Sequence, residues 1–459
     1  MASPITATSA KRSACLPDRI EPRTLRGFRD YLPRAMAARE WLLERARHVY
    51  RSYGFVAIDT PALEYSEVLL GKGGAESDKL VYRFTDHGGR DVALRFDLTV
   101  PFARFAGQHI EELGTPFKRY HMGPVWRGEN TGHGRFREFW QCDFDTIGTT
   151  SNAADIETVL VIHDLLVALG FSQFQIRVNN RLLLNGLLAE LGLGEQSAAV
   201  LRSLDKLPKL GLESTRQEMI SSGASAERAD RLLSWATRPT QFSETLTSLA
   251  DSFKNNAPIQ DGTARLRELF DVVRAAGVGA ERIQFDLSIA RGLDYYTGTI
   301  CETFLNDLPE IGSICSGGRY DNLAGLYTRQ VLPGVGASLG LDRMLAAMEK
   351  LGQLPGGDPW APVFIVQFNA KHLADYFRMA EMIRAAGPGT FVYPDAKKIG
   401  SQLQYAERHD FRVALIAGPD EFAQGTWKIK DLLRRAETVV AEADVMSGIT
   451  HILRERPPC

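Results

Sequence analysis

The feature that most constrains the fold is a change of texture along the chain. Residues 24 to about 172 alternate amphipathic-helix and strand signals, and strand signals return after Ala280. Between them, Val200 to Gly279 is mostly helical, with Ser, Glu, Arg and Leu in mixed-charge faces and few aromatics. Strand-rich text on both sides of such a block is most simply one sheet interrupted by an inserted helical subdomain. With 459 residues, the chain exceeds what one ordinary core supports and calls for two or three domains.

In the first region, Trp41, Leu42, Ala46 and Val49 follow helical spacing and end at Gly54. FVAIDTPALEY reads as a strand broken by Pro61, and VALRFDLTVPFARF as another ended by Pro101. PVWRGE and REFWQCDFDTIG read as a hairpin joined by the loop GENTGHG. After Ala280 the strands IQFDLSI, TICETFL and SICSGGRYDNLAGLY precede LPGVGASLGLDRMLAAMEKLG, a glycine-rich strand running into an amphipathic helix. LPGGDPWAP is a linker, and VFIVQF, TFVYP, VALIAG and TWKIKDL beyond it alternate with helices as a small α/β domain.

Hydrophobic residues at 44% and charged residues at 24% fit a globular protein, and no apolar run approaches the ~20 residues that cross a bilayer. Five scattered cysteines without a C-x-x-C pair point to a reducing, cytoplasmic home and to no metal centre. The Ser/Ala-rich, basic start reads as a disordered tail rather than an organellar presequence. A formal net charge of −2 advertises no nucleic acid, yet PFKRYHMGPVWRGENTGHGRFRE sets five Lys and Arg against two Glu.

The stretch RGLDYYTG is a candidate polar pocket, because an arginine, an aspartate and two tyrosines follow an apolar strand directly. Arg127, Arg291 and Arg343 recur beside glycine-bearing strands, a pattern suited to gripping a polyphosphate with planar, paired donors. No P-loop is present, and GVGASLGLD lacks the dinucleotide glycine spacing. Asp97 in LRFDLT joins Gln141 and Asp145 in QCDFD as a second constellation. Gln141 and Asp145 share one strand face, where they either meet solvent or hold a cationic group such as an amino acid's ammonium.

RGLDYYTG at Arg291 and SGGRYDNL at Ser316 resemble the two histidine-recognition motifs of histidyl-tRNA synthetases. FKRYHMGPVWRGE with GRFREFWQCDFD is similar to class II motif 2, GVGASLGLDRM to motif 3, and the helix leading to IDTPALEY to motif 1. The likeness runs from GFRDYLP at Gly27 to the C-terminal domain, and DKLPKLGLESTRQEM and LRFDLTVPFAR resemble the eukaryotic-like branch.

This resemblance implies an α+β catalytic core with a mixed, mainly antiparallel sheet over 23–195 and 281–352. A helical insertion would fill 196–280, a linker 353–360 and an anticodon-binding α/β domain 361–459, after a tail over 1–22. It implies ATP-dependent joining of L-histidine to its tRNA through an adenylate, with Mg2+ on the ATP, in a homodimer. By the same resemblance, Arg127, Glu129, Arg291 and Arg343 serve ATP, and the three arginines are catalytic. Asp97, Thr99, Gln141, Asp145, Tyr295, Tyr296 and Tyr320 line the histidine pocket together with Arg127 and Arg291. Arg291→Ala would cost roughly a hundred- to thousand-fold in activation, as loss of one preorganised donor does.

Asn130, Thr131, Gly132 and His133 depart from the Arg-Pro-Gln of many bacterial members in the loop that meets the acceptor stem. The C-terminal segment 362–449 has 11 Lys and Arg against 11 Asp and Glu, so RNA contact there would need a local face such as Lys428 and Lys430. Two rival functions keep the resemblance without tRNA charging. One is an inactive paralogue binding histidine as a regulatory subunit, and the other is an enzyme passing its adenylate elsewhere.

Overall fold

The computed structural model describes residues 20–70, 80–132, 134–238, 242–290, 295–355 and 361–454. Arg291, Asp294, His133, most of the expected tail and most of the expected linker lie outside the described residues.

Among the described residues, eleven strands precede the C-terminal segment: β1 (Val56–Ala57), β2 (Leu63–Tyr65), β3 (Arg83–Thr85), β4 (Asp91–Leu94), β5 (Phe117–Trp126), β6 (Glu138–Ile147), β7 (Phe174–Asn180), β8 (Ile283–Phe285), β9 (Thr299–Leu305), β10 (Cys315–Tyr320) and β11 (Gly334–Gly340). Eight form one sheet in the order β1-β5-β6-β11-β10-β9-β7-β8. Only the outermost pairs, β1 with β5 and β7 with β8, are parallel. The long helix Pro33–Ser52 and the helix Asn152–Ala168 pack together against this sheet through Leu42, Ala46, Val49, Ile162 and Leu165. Ser151 caps the second of these, accepting from the Ala153 N–H.

Between β7 and β8 the chain makes the helices Ser197–Leu204, Leu212–Ser221, Ala226–Ala236, Phe242–Ser252 and Ala257–Ala275. The last lies so close to the helix Arg181–Glu190 that a Cβ at Gly262 would sit 2.8 Å from the Leu183 nitrogen. Glycine is needed there for approach, not for a turn.

Downstream, β12 (Val363–Ile365), β13 (Thr390–Val392), β14 (Val413–Ile416), β15 (Thr426–Asp431) and β16 (Ala436–Ala441) form a second sheet in the order β13-β12-β14-β15-β16. Its first three strands are parallel and its last two pairings antiparallel. No helix among the described residues is long and apolar enough to cross a membrane.

One expected strand is largely a helix. VALRFDLTVPFARF ends its strand at Leu94 and enters the helix Thr99–Leu113, whose buried Val100, Phe102, Ala103, Ala106 and Ile110 form a helical stripe. Pro101 opens this helix rather than ending a strand, because first-turn N–H groups have no carbonyl four residues back to reach.

Candidate active site

The floor of the site is the centre of the large sheet. In the β5–β6 hairpin, Arg119 pairs with Asp145, His121 with Asp143 and Gly123 with Gln141. On the other side of β6, Gly336, Ser338 and Gly340 of β11 face Asp145, Asp143 and Gln141. Even spacing places Gln141, Asp143 and Asp145 on one face. Glycine opposite Asp145 is a spatial requirement, since a Cβ at Gly336 would sit 2.3 Å from Asp145 Oδ1.

These acids do not face solvent: Asp97, Asp143 and Asp145 are each 2% exposed. Asp145 is already matched, by Arg119 at 2.6 Å and by the Tyr320 hydroxyl, which donates at 2.6 Å. Arg119 is fully buried, donates to the Leu98 carbonyl at 3.2 Å and lies over the Phe102 ring. Asp97 accepts the Val100 N–H at 3.0 Å and the Tyr295 hydroxyl at 3.3 Å.

Burial nevertheless dominates both unmatched acids. It pushes the Asp97 carboxyl up to about 6, against the Val100 N–H and Arg127, which pull it down. It pushes Asp143 up to about 7, with Arg119 opposing and Asp145 adding repulsion. His121 does not neutralise Asp143, because burial and the neighbouring Arg119 and Arg95 hold its imidazole well below the ordinary value. Burial likewise keeps the Tyr295, Tyr296 and Tyr320 phenols protonated as donors. The arrangement is an acid-rich cluster suited to a cation that carries hydrogen-bond donors.

Its walls come from the motif tyrosines. The Tyr295 ring meets Tyr296 edge-on at 5.2 Å and Tyr320 at 6.0 Å. Thr99, half-buried at the start of its helix, lies beside the Tyr295 hydroxyl. Thr297 ties this turn to β10, its N–H donating to the Arg319 carbonyl at 2.8 Å and its hydroxyl to Asp321 at 2.8 Å.

Beside the pocket lies a recess of about 150 Å³ lined by Arg127, Glu129, Gln141, Ser338 and Arg343 among others. Arg127 donates from Nε to the Phe96 carbonyl at 2.8 Å, and its Nη1 stands 3.7 Å from Glu129. Arg343 donates to the Ser313 carbonyl from the first turn of the helix Leu341–Lys350. The loop carrying Glu129 and Arg135 closes over it at Gly134, whose φ of 68° favours glycine and whose Cβ would meet Arg343 Cα at 3.4 Å. Asp342 anchors the rear, accepting from the Trp140 N–H and from Arg29, each at 2.8 Å.

The structure thus brings together Asp97, Thr99, Arg127, Glu129, Gln141, Asp145, Tyr295, Tyr296, Tyr320 and Arg343. Sequence reasoning missed two members. Asp143 carries the same even spacing as its neighbours and was readable from it. Arg119 was visible only as one of several basic residues, and its pairing with Asp145 comes from strand register.

A family model described as histidyl-tRNA synthetase matches residues 27–344, and one described as an anticodon binding domain matches residues 362–451. The histidine–tRNA ligase of Rhodopirellula baltica is 55% identical over 423 residues, covering 92% of this chain and 96% of that protein. That of Treponema denticola is 46% identical over 442 residues, covering 93% and 98%. The crystal structure of histidyl-tRNA synthetase from Nostoc sp. PCC 7120 superposes with a TM-score of 0.85 at 33% identity, over 94% of this chain and 100% of that one.

Proposed function

The chain belongs to the histidyl-tRNA synthetase family, and from that premise we propose how its own residues divide the work of joining histidine to tRNA. The protein is an aminoacyl-tRNA ligase that charges tRNA with histidine. The histidine carboxylate attacks the α-phosphorus of ATP and displaces pyrophosphate, and the tRNA's terminal hydroxyl then attacks the carbonyl carbon of the adenylate and displaces AMP.

The observation that carries the residue assignment is a recess lined by Arg127, Arg343 and Gln141 together. Arg127, with one edge held by the Phe96 carbonyl, offers its remaining donors to the α-phosphate. Arg343 and Glu129 serve the rest of the nucleotide, and Mg2+ arrives on the ATP as part of the substrate. Arg291 joins them as the donor that meets charge growing on the phosphoryl oxygens. Asp97, Gln141 and Asp145 take histidine's cationic groups with Thr99, while Tyr295, Tyr296 and Tyr320 enclose the imidazole. A pocket that pairs every donor of the imidazole rejects analogues lacking one, because its own polar groups are then stranded.

Several coarser features belong to the same proposal. Domains divide at 1–22, 23–195 with 281–352, 196–280, 353–360 and 361–459. The half-exposed Val56, Tyr65 and Phe84 around β1, β2 and β3 support a homodimer through the motif 1 face. A reducing cytoplasm suits the buried thiols of Cys142, Cys301 and Cys315. The segments DKLPKLGLESTRQEM and LRFDLTVPFAR support the eukaryotic-like branch, whereas the relatives named above are bacterial.

The test is ATP–pyrophosphate exchange with each of the twenty amino acids, followed by charging of histidine tRNA. Exchange with histidine alone is expected. Loss of histidine dependence on replacing Gln141 or Asp97 supports the pocket, and unchanged kinetics in both variants would overturn the assignment.

A further inference from the structure

Arg319 stands one residue before Tyr320 on β10, so strand alternation sends the two side chains to opposite faces of the sheet. Tyr320 joins Asp145 on the floor of the site, whereas Arg319 meets Asp155 of the helix Asn152–Ala168 behind it. Arg319 and Asp155 are 3% and 1% exposed. Each guanidinium nitrogen has a partner. Nε donates to Asp155 Oδ2 at 3.1 Å, Nη2 to the same oxygen and, at 3.2 Å, to the Ser151 carbonyl, and Nη1 to the Thr149 carbonyl and Asp321 Oδ1, both at 3.0 Å. Asp321 then reaches across to another segment. Its Oδ2 accepts the Thr297 hydroxyl at 2.8 Å, and its N–H donates back to that hydroxyl at 3.1 Å. The approach is close, since a Cβ on Gly298 would sit 2.8 Å from Arg319 Cδ.

We propose that Arg319 and Asp321 are positioning residues for histidine binding: they clamp the turn at Thr297 to β10, so that Tyr295 and Tyr296 close on Tyr320 in one fixed arrangement. The inference rests on the assignment of these tyrosines to the histidine pocket and adds to it what holds them. Tyr295 and Tyr296 directly precede Thr297, and their edge-on ring contacts add only modestly to the apolar area they bury. Hydrogen bonds to a fixed strand decide where the rings stand. A buried ion pair seldom stabilises a core more than apolar side chains of the same volume, but its direction is specific. The planar fork of Arg319 grips the helix with one edge and Asp321 with the other, which the single ammonium of a lysine does not reproduce. Neither residue touches histidine, and both act through the tyrosines.

The experiment is ATP–pyrophosphate exchange with Thr297→Val, Thr297→Ser, Asp321→Asn, the first and third combined, and Arg319→Lys. Thr297→Val removes the hydroxyl that Asp321 holds. It should raise the KM for histidine about tenfold and leave the KM for ATP within about twofold, the scale of one lost link to the pocket. Thr297→Ser keeps the hydroxyl and should stay within about twofold of the parent for both substrates. Arg319→Lys should repeat the histidine effect, and Thr297→Val decides the matter even where that variant does not fold. The combined variant should exceed Thr297→Val by less than about twofold, because both changes break one link. A role in stability alone would lower the active fraction, and with it the rate at saturation, while both KM values stay in place. That pattern, a parallel rise in the KM for ATP, or a loss in Thr297→Ser as large as in Thr297→Val would overturn the clamp. Tyr296→Ala separates the two levels. A raised KM for histidine there with none in Thr297→Val overturns the clamp alone, and an unchanged KM in both sinks the pocket assignment with it.

Discussion

The central sheet and the C-terminal sheet are built on opposite principles. Between Arg39 and Asp342, fully buried charges include Arg95, Asp97, Arg119, Asp143, Asp145, Asp155 and Arg319. In the C-terminal segment, among the described residues, Asp431 is the one fully buried charge, and Arg412 matches it at 2.9 Å. The rest of that core is Trp427, Tyr376, Leu415, Ile429 and other apolar side chains. Both sheets bury strand faces, but the central one buries many charges and the C-terminal one a single matched carboxylate among the described residues. Burying a carboxylate costs several kcal/mol unless it is matched, so the mismatch marks where a ligand completes the count.

Arg119→Met breaks the comparison most severely. It strands Asp145 and its acidic neighbours, and chemical denaturation should show a loss of about 4 kcal/mol together with abolished histidine-dependent exchange. In the C-terminal sheet, Leu415→Ala should cost about 3 kcal/mol by leaving a cavity, with exchange retained and tRNA charging impaired.

A pH series sharpens the contrast. Folded Asp143 keeps its proton to about pH 7 and Asp97 to about 6, while both ionise near ~3.9 in the unfolded chain. Between those values the unfolded state binds fewer protons, so stability falls as pH rises from roughly 4 to 7. Asp143→Asn removes the larger share, and its melting temperature should decline a few degrees less than the parent's between pH 5 and 8. The smallest effect belongs to Arg34→Ala, which removes an exposed ion pair to Asp410 and should leave the melting curve unmoved.

The same contrast explains what could be read from residues alone. Apolar alternation and glycine punctuation reveal the β5–β6 hairpin, the strand and helix of GVGASLGLDRM and the helical block. Pattern alone misplaced Pro101, because LTVPFARF is as apolar as a strand and only its helical stripe distinguishes it. FQIRVNN and AETVVA form β7 and β16 without having been singled out. β16 is an exposed edge strand with little alternation to detect. The candidate site divides the same way: motif residues come from local text, whereas the Arg119–Asp145 match and the Gln141–Ser338 hydrogen bond depend on neighbours brought in by register.

The pairing of β6 with β11 also sets a schedule for the growing chain. Gln141 and Ser338 touch across a sequence separation of 197 residues. At ~5 to 20 residues per second, synthesis needs roughly 10 to 40 seconds to deliver the second after the first. Throughout that interval the β5–β6 hairpin exists without its β11 neighbour, with its acidic face lacking one wall and one strand edge unpaired. The nascent chain is therefore in need of protection until β11 has been made, and slowing the ribosome within the helical insertion should lower the yield of soluble enzyme more than slowing it after Gly340.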